Sequence, residues 1–135
     1  MRSVFLMLLV GYFTGLRSQK ICCLDTIGRL SQSPNVYSKQ LNGDSLSNAF
    51  CIVIKQEVKS HKHLKHSEQV MVLEGEGQMK LGNEEFKISA GELIFIPCNT
   101  YHSVKSTGKV PLKVLSIQSP EFDGSDRIPE TNTAK

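Results

Sequence analysis

Tryptophan is missing from the 135 residues, the four cysteines form no Cys-x-x-Cys pair, and no apolar run is long enough to span a bilayer. Each absence removes a class. Without the paired-cysteine spacing, a thioredoxin-type motif and a zinc ribbon have no support. The run from Val4 to Leu16 falls short of the roughly 20 apolar residues that a membrane helix needs. Neither sign of charge dominates: 16 Lys+Arg stand against 13 Asp+Glu, and Arg2 and Arg17 belong to the first segment. Nucleic acid is therefore not an expected partner. No arginine occurs between Arg29 and Arg127, and no amphipathic helical stretch of ten residues stands out after residue 48. With 39% hydrophobic and 21% charged residues, the composition is that of one ordinary globular domain.

What is present begins with an export signal. Met1-Arg2, the apolar run and Leu16-Arg17-Ser18 read as a signal peptide over residues 1–18, cleaved after Ser18. Export to the periplasm or the exterior follows, with no stable membrane insertion of the mature chain. Cys22, Cys23, Cys51 and Cys98 would then meet an oxidising compartment, although their spacing specifies no pairing. Residues 19–48 are polar and punctuated, a loose lead-in with one short strand near Val36 to Leu41. Residues 120–135 are polar, with two prolines from Ser119 on, and read as a loosely packed tail.

Between them, residues 49–119 form a succession of short β-rich runs: FCIVIKQEV, EQVMVLE, QMKL, FKIS, LIFIP, HSVK and LKVLSIQ. Gly75-Glu76-Gly77, Gly82-Asn83, Ala90-Gly91-Glu92 and Thr107-Gly108 break them at hairpin distances. Met79 and Leu81 alternate with Gln78 and Lys80, and Phe86 and Ile88 with Glu85 and Lys87, as half-buried strands require. Leu93 to Ile96 is apolar throughout, so its inner face is not assigned by period. The fold class is all-β, an antiparallel sandwich or barrel.

All four histidines lie between positions 61 and 102, three of them in HKHLKHSE. On an extended segment His61 and His63 project from one face and can reach one ion. Glu68 follows across a short turn, which brings its carboxylate back on the neighbouring strand. His102 opens a later strand and supplies a third imidazole. Three nitrogens and one carboxylate suit one divalent transition metal ion (Fe, Mn, Ni, Co, Cu or Zn) rather than Ca or Mg. His66 reads as a rim residue, a donor behind the ligands or plain surface. Cys98 reads as an inert packed thiol, and Tyr101 as a packing residue or a hydrogen-bond donor to a ligand.

These residues resemble the two motifs of a single-domain cupin. The first runs His-x-His, three or four residues, Glu, six residues, Gly, and is matched by His61-Lys62-His63, Glu68 and Gly75. The second runs Gly, five residues, Pro-x-Gly, two residues, His, three residues, Asn, and is matched by Gly91, Pro97-Cys98-Asn99 and His102. Lys55 stands where the first motif often opens with Gly, Asn99 replaces the Gly of Pro-x-Gly, and Ser106 replaces the final Asn. None of the three is a metal ligand in that family, and Asn tolerates a left-handed backbone. The resemblance implies a small jelly-roll β-barrel with the metal inside, held by His61, His63, Glu68 and His102. It implies a small-molecule ligand or substrate, through a metal-dependent dioxygenase, isomerase or decarboxylase activity. Non-catalytic metal-centred binding, as in sensor or storage cupins, is the alternative, and a barrel using the histidines only for stability or dimerisation is a third. Small cupins also pair through their outer sheets, so a homodimer is compatible with the resemblance.

Period two carries Val70 and Val72 inward with Glu68, and Val104 with His102, giving a largely apolar lining. Such a lining disfavours a small polyanion, which needs an inward Arg or Lys. Lys55 and Lys59 share parity with His61, a relation that a bulge before His61 would reverse.

Overall fold

A computed structural model describes residues 21–29 and 31–131. The expected export signal at residues 1–18 lies outside the described residues. Ten strands follow one 3-10 turn at Leu24–Thr26: β1 Val36–Gly43, β2 Asn48–Ile54, β3 Glu57–His63, β4 Ser67–Glu74, β5 Glu76–Leu81, β6 Glu84–Ser89, β7 Leu93–Ile96, β8 His102–Ser106, β9 Leu112–Ser119 and β10 Arg127–Pro129. They form two five-stranded sheets, in the orders β1-β2-β9-β4-β7 and β10-β3-β8-β5-β6. Every pairing is antiparallel.

Alternation decides which side chains fill the space between the sheets. Val70 and Val72 turn in from β4, Met79 from β5, Ile88 from β6, and Leu112 and Val114 from β9. Within β7 the inner face is that of Ile94 and Ile96, while Leu93 and Phe95 are exposed. Each such aliphatic side chain contributes about 1.5–3 kcal/mol through burial.

Three expectations change. The run FCIVIKQEV is two strands, because the chain turns at Lys55-Gln56. The lead-in is not loose: β1 pairs with β2 along its length, and the Lys55 ammonium donates to the carbonyls of Ser31 (3.1 Å) and Ser33 (2.7 Å). The tail is not loose either, since Arg127–Pro129 pairs with β3 and Asp126 is buried. Hydrophobic patterning could not reveal this last attachment, because it is made by polar groups. The β3–β8 register shifts between Val58 and His61, so Val58 packs on the core and Lys59 stays exposed. This bulge reverses the parity that would have carried Lys55 and Lys59 inward with His61.

Gly75 joins β4 to β5 at φ +83°, and a Cβ there would lie 2.7 Å from the Pro111 carbonyl oxygen and 3.0 Å from the Leu112 Cα. Both obstacles are backbone and cannot rotate away. Gly75→Ala is expected to cost about 2 kcal/mol, from the left-handed conformation and the forced displacement together. A lower urea midpoint with unchanged slope checks it, and an unchanged midpoint contradicts it.

Candidate metal centre

The bulge in β3 sets the histidines. Beyond it, His61 pairs directly with His102 of β8, and His63 follows two residues later on the same inner face. The ring centroids of His61 and His102 are 4.3 Å apart, and those of His61 and His63 5.0 Å. All three rings are buried and offer ligand atoms within 4.8 Å of one another. Asn99, at φ 60°, makes the turn ahead of His102, and its N–H donates to the His63 carbonyl at 2.6 Å. The replacement of glycine at that position therefore leaves the turn intact.

Glu68 arrives from the other side. The turn at residues 64–66 carries the chain from the second sheet to the first, so Glu68 on β4 faces the imidazoles across the interior, not from a strand beside β3. Its Oε2 lies 3.6 Å from His102 Nε2, and its Oε1 accepts a hydrogen bond from Ser116 Oγ. Gln118 Nε2 in turn donates to Ser116 Oγ at 3.1 Å. Burial would raise the Glu68 carboxyl, but His102 and Ser116 outweigh it and hold it at about 2.

For two of the imidazoles a shift in the same direction favours the neutral form. Burial, reinforced by His102 for His61 and by His66 for His63, lowers both to about 4. Near neutral pH these two rings are uncharged and their lone pairs available. His61 Nδ1 lies 2.8 Å from the Lys59 carbonyl and His102 Nδ1 3.0 Å from that of Thr100. A neutral ring that donates from Nδ1 to a carbonyl keeps Nε2 free as a donor atom to a metal. His63 Nδ1 is buried without a hydrogen-bond partner, 4.0 Å from Asp126 Oδ1. Three close imidazoles, two with anchored Nδ1 atoms, beside one ionised carboxylate are a donor set that fits a transition-metal ion.

A second polar cluster stands behind the first. Asp126 accepts hydrogen bonds from the backbone N–H groups of Leu64 and Lys65, both at 2.8 Å, and its Oδ2 lies 3.0 Å from His66 Nδ1. Burial would raise the Asp126 carboxyl, yet the two amides and His66 hold it below the usual range. His66 is thus neither rim nor surface but buried, fastening the turn between the two sheets. Phe122 closes over the cluster, its ring centroid 5.2 Å from His63 and 5.0 Å from His66.

The cavity above the imidazoles has a volume of about 450 Å³. Ile54, Val70, Met79, Ile96 and Leu112 form much of its wall, and Arg127 enters from β10. The segment taken for a tail thus adds an exposed arginine to the lining, which the sequence did not indicate. Tyr101 instead lies under the Lys62 ammonium, 4.8 Å from its ring centroid, and does not line the cavity. Cys98 is exposed and its thiol donates to the Leu64 carbonyl, so it is not packed as expected. Ser116 and Gln118 were legible in principle, because Leu112, Val114, Ser116 and Gln118 share one parity. Nothing local in the sequence marks Phe122, Asp126 or Arg127.

In the metal-free protein these shifts set a proton balance. An unfolded histidine titrates near 6.5, whereas folded His61 and His63 titrate at about 4, so between those values the unfolded chain binds protons that the folded chain refuses. Stability therefore falls as pH drops through that window. Glu68 continues the loss from its unfolded value of 4.5 down to about 2. For metal-free protein the expected decrease in unfolding free energy from pH 7 to pH 5 is about 2 kcal/mol for each of the two histidines, read from urea midpoints. Equal midpoints at the two pH values would contradict it.

A family model described as Cupin domain matches residues 50–118. An uncharacterized protein of Methanocaldococcus jannaschii is 37% identical over 94 residues, covering 69% of this chain and 72% of that protein. The mannose-1-phosphate guanylyltransferase RfbM of Salmonella typhimurium is 35% identical over 80 residues, 58% of this chain but 17% of the enzyme. Among solved structures, an uncharacterized conserved protein with a double-stranded beta-helix domain from Klebsiella pneumoniae superposes with TM-score 0.72 at 19% identity, over 84% of this chain and 100% of that one. An RmlC-like cupin from Shewanella frigidimarina gives TM-score 0.62 at 20% identity, over 69% and 83%.

Proposed function

The chain belongs to the cupin domain family, and from that premise we propose that it is a metal-dependent cupin acting on one small organic molecule. His61, His63, Glu68 and His102 are the ligands in this reading, to one divalent ion of Fe, Mn, Ni, Co, Cu or Zn. One observation carries it: three buried imidazoles, two with Nδ1 set against backbone carbonyls, open onto a cavity of about 450 Å³ across from an ionised carboxylate. When bound, such an ion supplies Lewis-acid polarisation of a ligand oxygen, or redox chemistry if it is Fe, Mn or Cu.

The protein groups have separate tasks. The carbonyls of Lys59 and Thr100 fix the rings of His61 and His102, and Ser116 fixes the carboxylate. The aliphatic walls hold the body of the organic molecule and exclude water. Glu68, held at about 2, is a poor proton acceptor near neutrality, which favours a role as ligand over one as general base. That low basicity also supports a second reading, in which the cavity captures its molecule without turnover. The match to RfbM spans too little of that enzyme to lend its activity to this chain.

Elemental mass spectrometry on tag-free protein, purified without chelators, tests the proposal. One equivalent of a transition metal supports it. Protein that stays metal-free after reconstitution with each candidate ion refutes it.

A further inference from the structure

Resting on the reading that this cavity is the ligand site, we propose that its occupant is an organic carboxylate with an apolar body, and that Arg127 receives the carboxylate. The guanidinium comes from β10, outside the matched motifs; Arg127 is exposed, pairs with His63 and lines the cavity from the solvent side. Its Nη2 lies 3.4 Å from His61 Nδ1, a nitrogen already placed against the Lys59 carbonyl, so that approach gives Arg127 no acceptor of its own. Among the described residues no carboxylate lies within ion-pair distance of it.

Two of the neighbouring acids are engaged elsewhere. Asp126 accepts from two backbone amides and lies against His66, and Glu68 is held by Ser116 and His102. Glu57 and Lys59 also line the cavity, and both are exposed. A guanidinium presents a planar fork of donors that a carboxylate matches with two parallel hydrogen bonds. Here that fork stands at the edge of a cavity whose walls are largely aliphatic.

An independent observation also calls for a ligand. Gln118 is 5% exposed and lines the same cavity, and although its Nε2 is used on Ser116, its Oε1 has no partner. A buried amide oxygen in that condition is satisfied by a donor arriving with the ligand. Charge at Arg127 and a free acceptor at Gln118, in a cavity with aliphatic walls, describe a molecule with a carboxylate and one hydrogen-bond donor on an otherwise apolar body.

The probe is 3-(4-hydroxyphenyl)propanoate, whose phenol supplies the donor for Gln118, and its control is 3-(4-hydroxyphenyl)propanamide, which has the same shape and phenol without the charge. Both are titrated calorimetrically into metal-loaded protein. The acid is expected to bind at least about tenfold more tightly than the amide. Arg127→Met is expected to abolish that preference, and Arg127→Lys, keeping charge without the fork, to fall between. Equal affinity of acid and amide for the wild type, or no binding of the acid, overturns the proposal. So does a preference that survives Arg127→Met, since it would then belong to the metal ion. Metal content, measured on the same samples, bears on the metal centre alone, so the two readings fail separately.

Discussion

Tag-free protein carrying His61→Ala or His102→Ala is expected to lose bound metal almost completely, with affinity at least about 100-fold below the wild type. Each change deletes a nitrogen from a three-imidazole set whose members lie within 4.8 Å of one another, and the remaining pair with Glu68 encloses the ion less. Ser116→Ala makes a sharper test of the geometry. It removes no ligand, yet Glu68 Oε1 loses its donor inside a closed space and Gln118 Nε2 loses its acceptor. Metal affinity should then drop about tenfold, as is usual when a group behind a ligand is lost. Dialysis against graded chelator, followed by elemental analysis, orders the variants. Full metal retention in the two histidine variants would remove these residues from the centre.

Asp126→Ala should give the largest loss of stability, about 3 kcal/mol. One buried carboxylate accepts from the amides of Leu64 and Lys65 and contacts His66, and all three groups would be left without it. The consequences run in two directions. The turn between β3 and β4, which sets the relation of the histidines to Glu68, loses its internal anchor. The segment leading into β10 loses its grip on the barrel, and Arg127 goes with it. Asp126→Asn retains one acceptor oxygen but sets an N–H₂ donor against amide donors, and should cost less. Urea midpoints rank the three proteins, and equal midpoints would show that the carboxylate does not hold this junction.

The barrel and the four convergent residues were legible because they obey local rules. Period two placed Val70, Val72, Met79 and Ile88 inward, and the spacing of His61, His63, Glu68 and His102 resembled a known arrangement. Leu93 to Ile96 could not be resolved by pattern, since both of its faces are apolar and only the sheet assigns Ile94 and Ile96 to the core. The bulge in β3 was legible only as an alternative, because a one-residue shift in register leaves no mark in composition. Asp126 and Arg127 were hidden for a different reason. Their segment is held by a carboxylate accepting backbone amides some 60 positions away, and polar sequence gives no sign of such a partner.

Strand order also sets when the centre can exist. β9, residues 112–119, lies between β2 and β4, so the first sheet has no middle until that segment is available, and β10 joins β3 later still. Such distant pairings are formed late and slowly. During synthesis the HKHLKH segment therefore emerges well before the strands that will enclose it. An open histidine-rich peptide ranks divalent ions by intrinsic affinity, with copper foremost, whereas a closed barrel ranks them by shape and charge. In the proposed metal centre, the ion held would then depend on which ions are present where the last strands close.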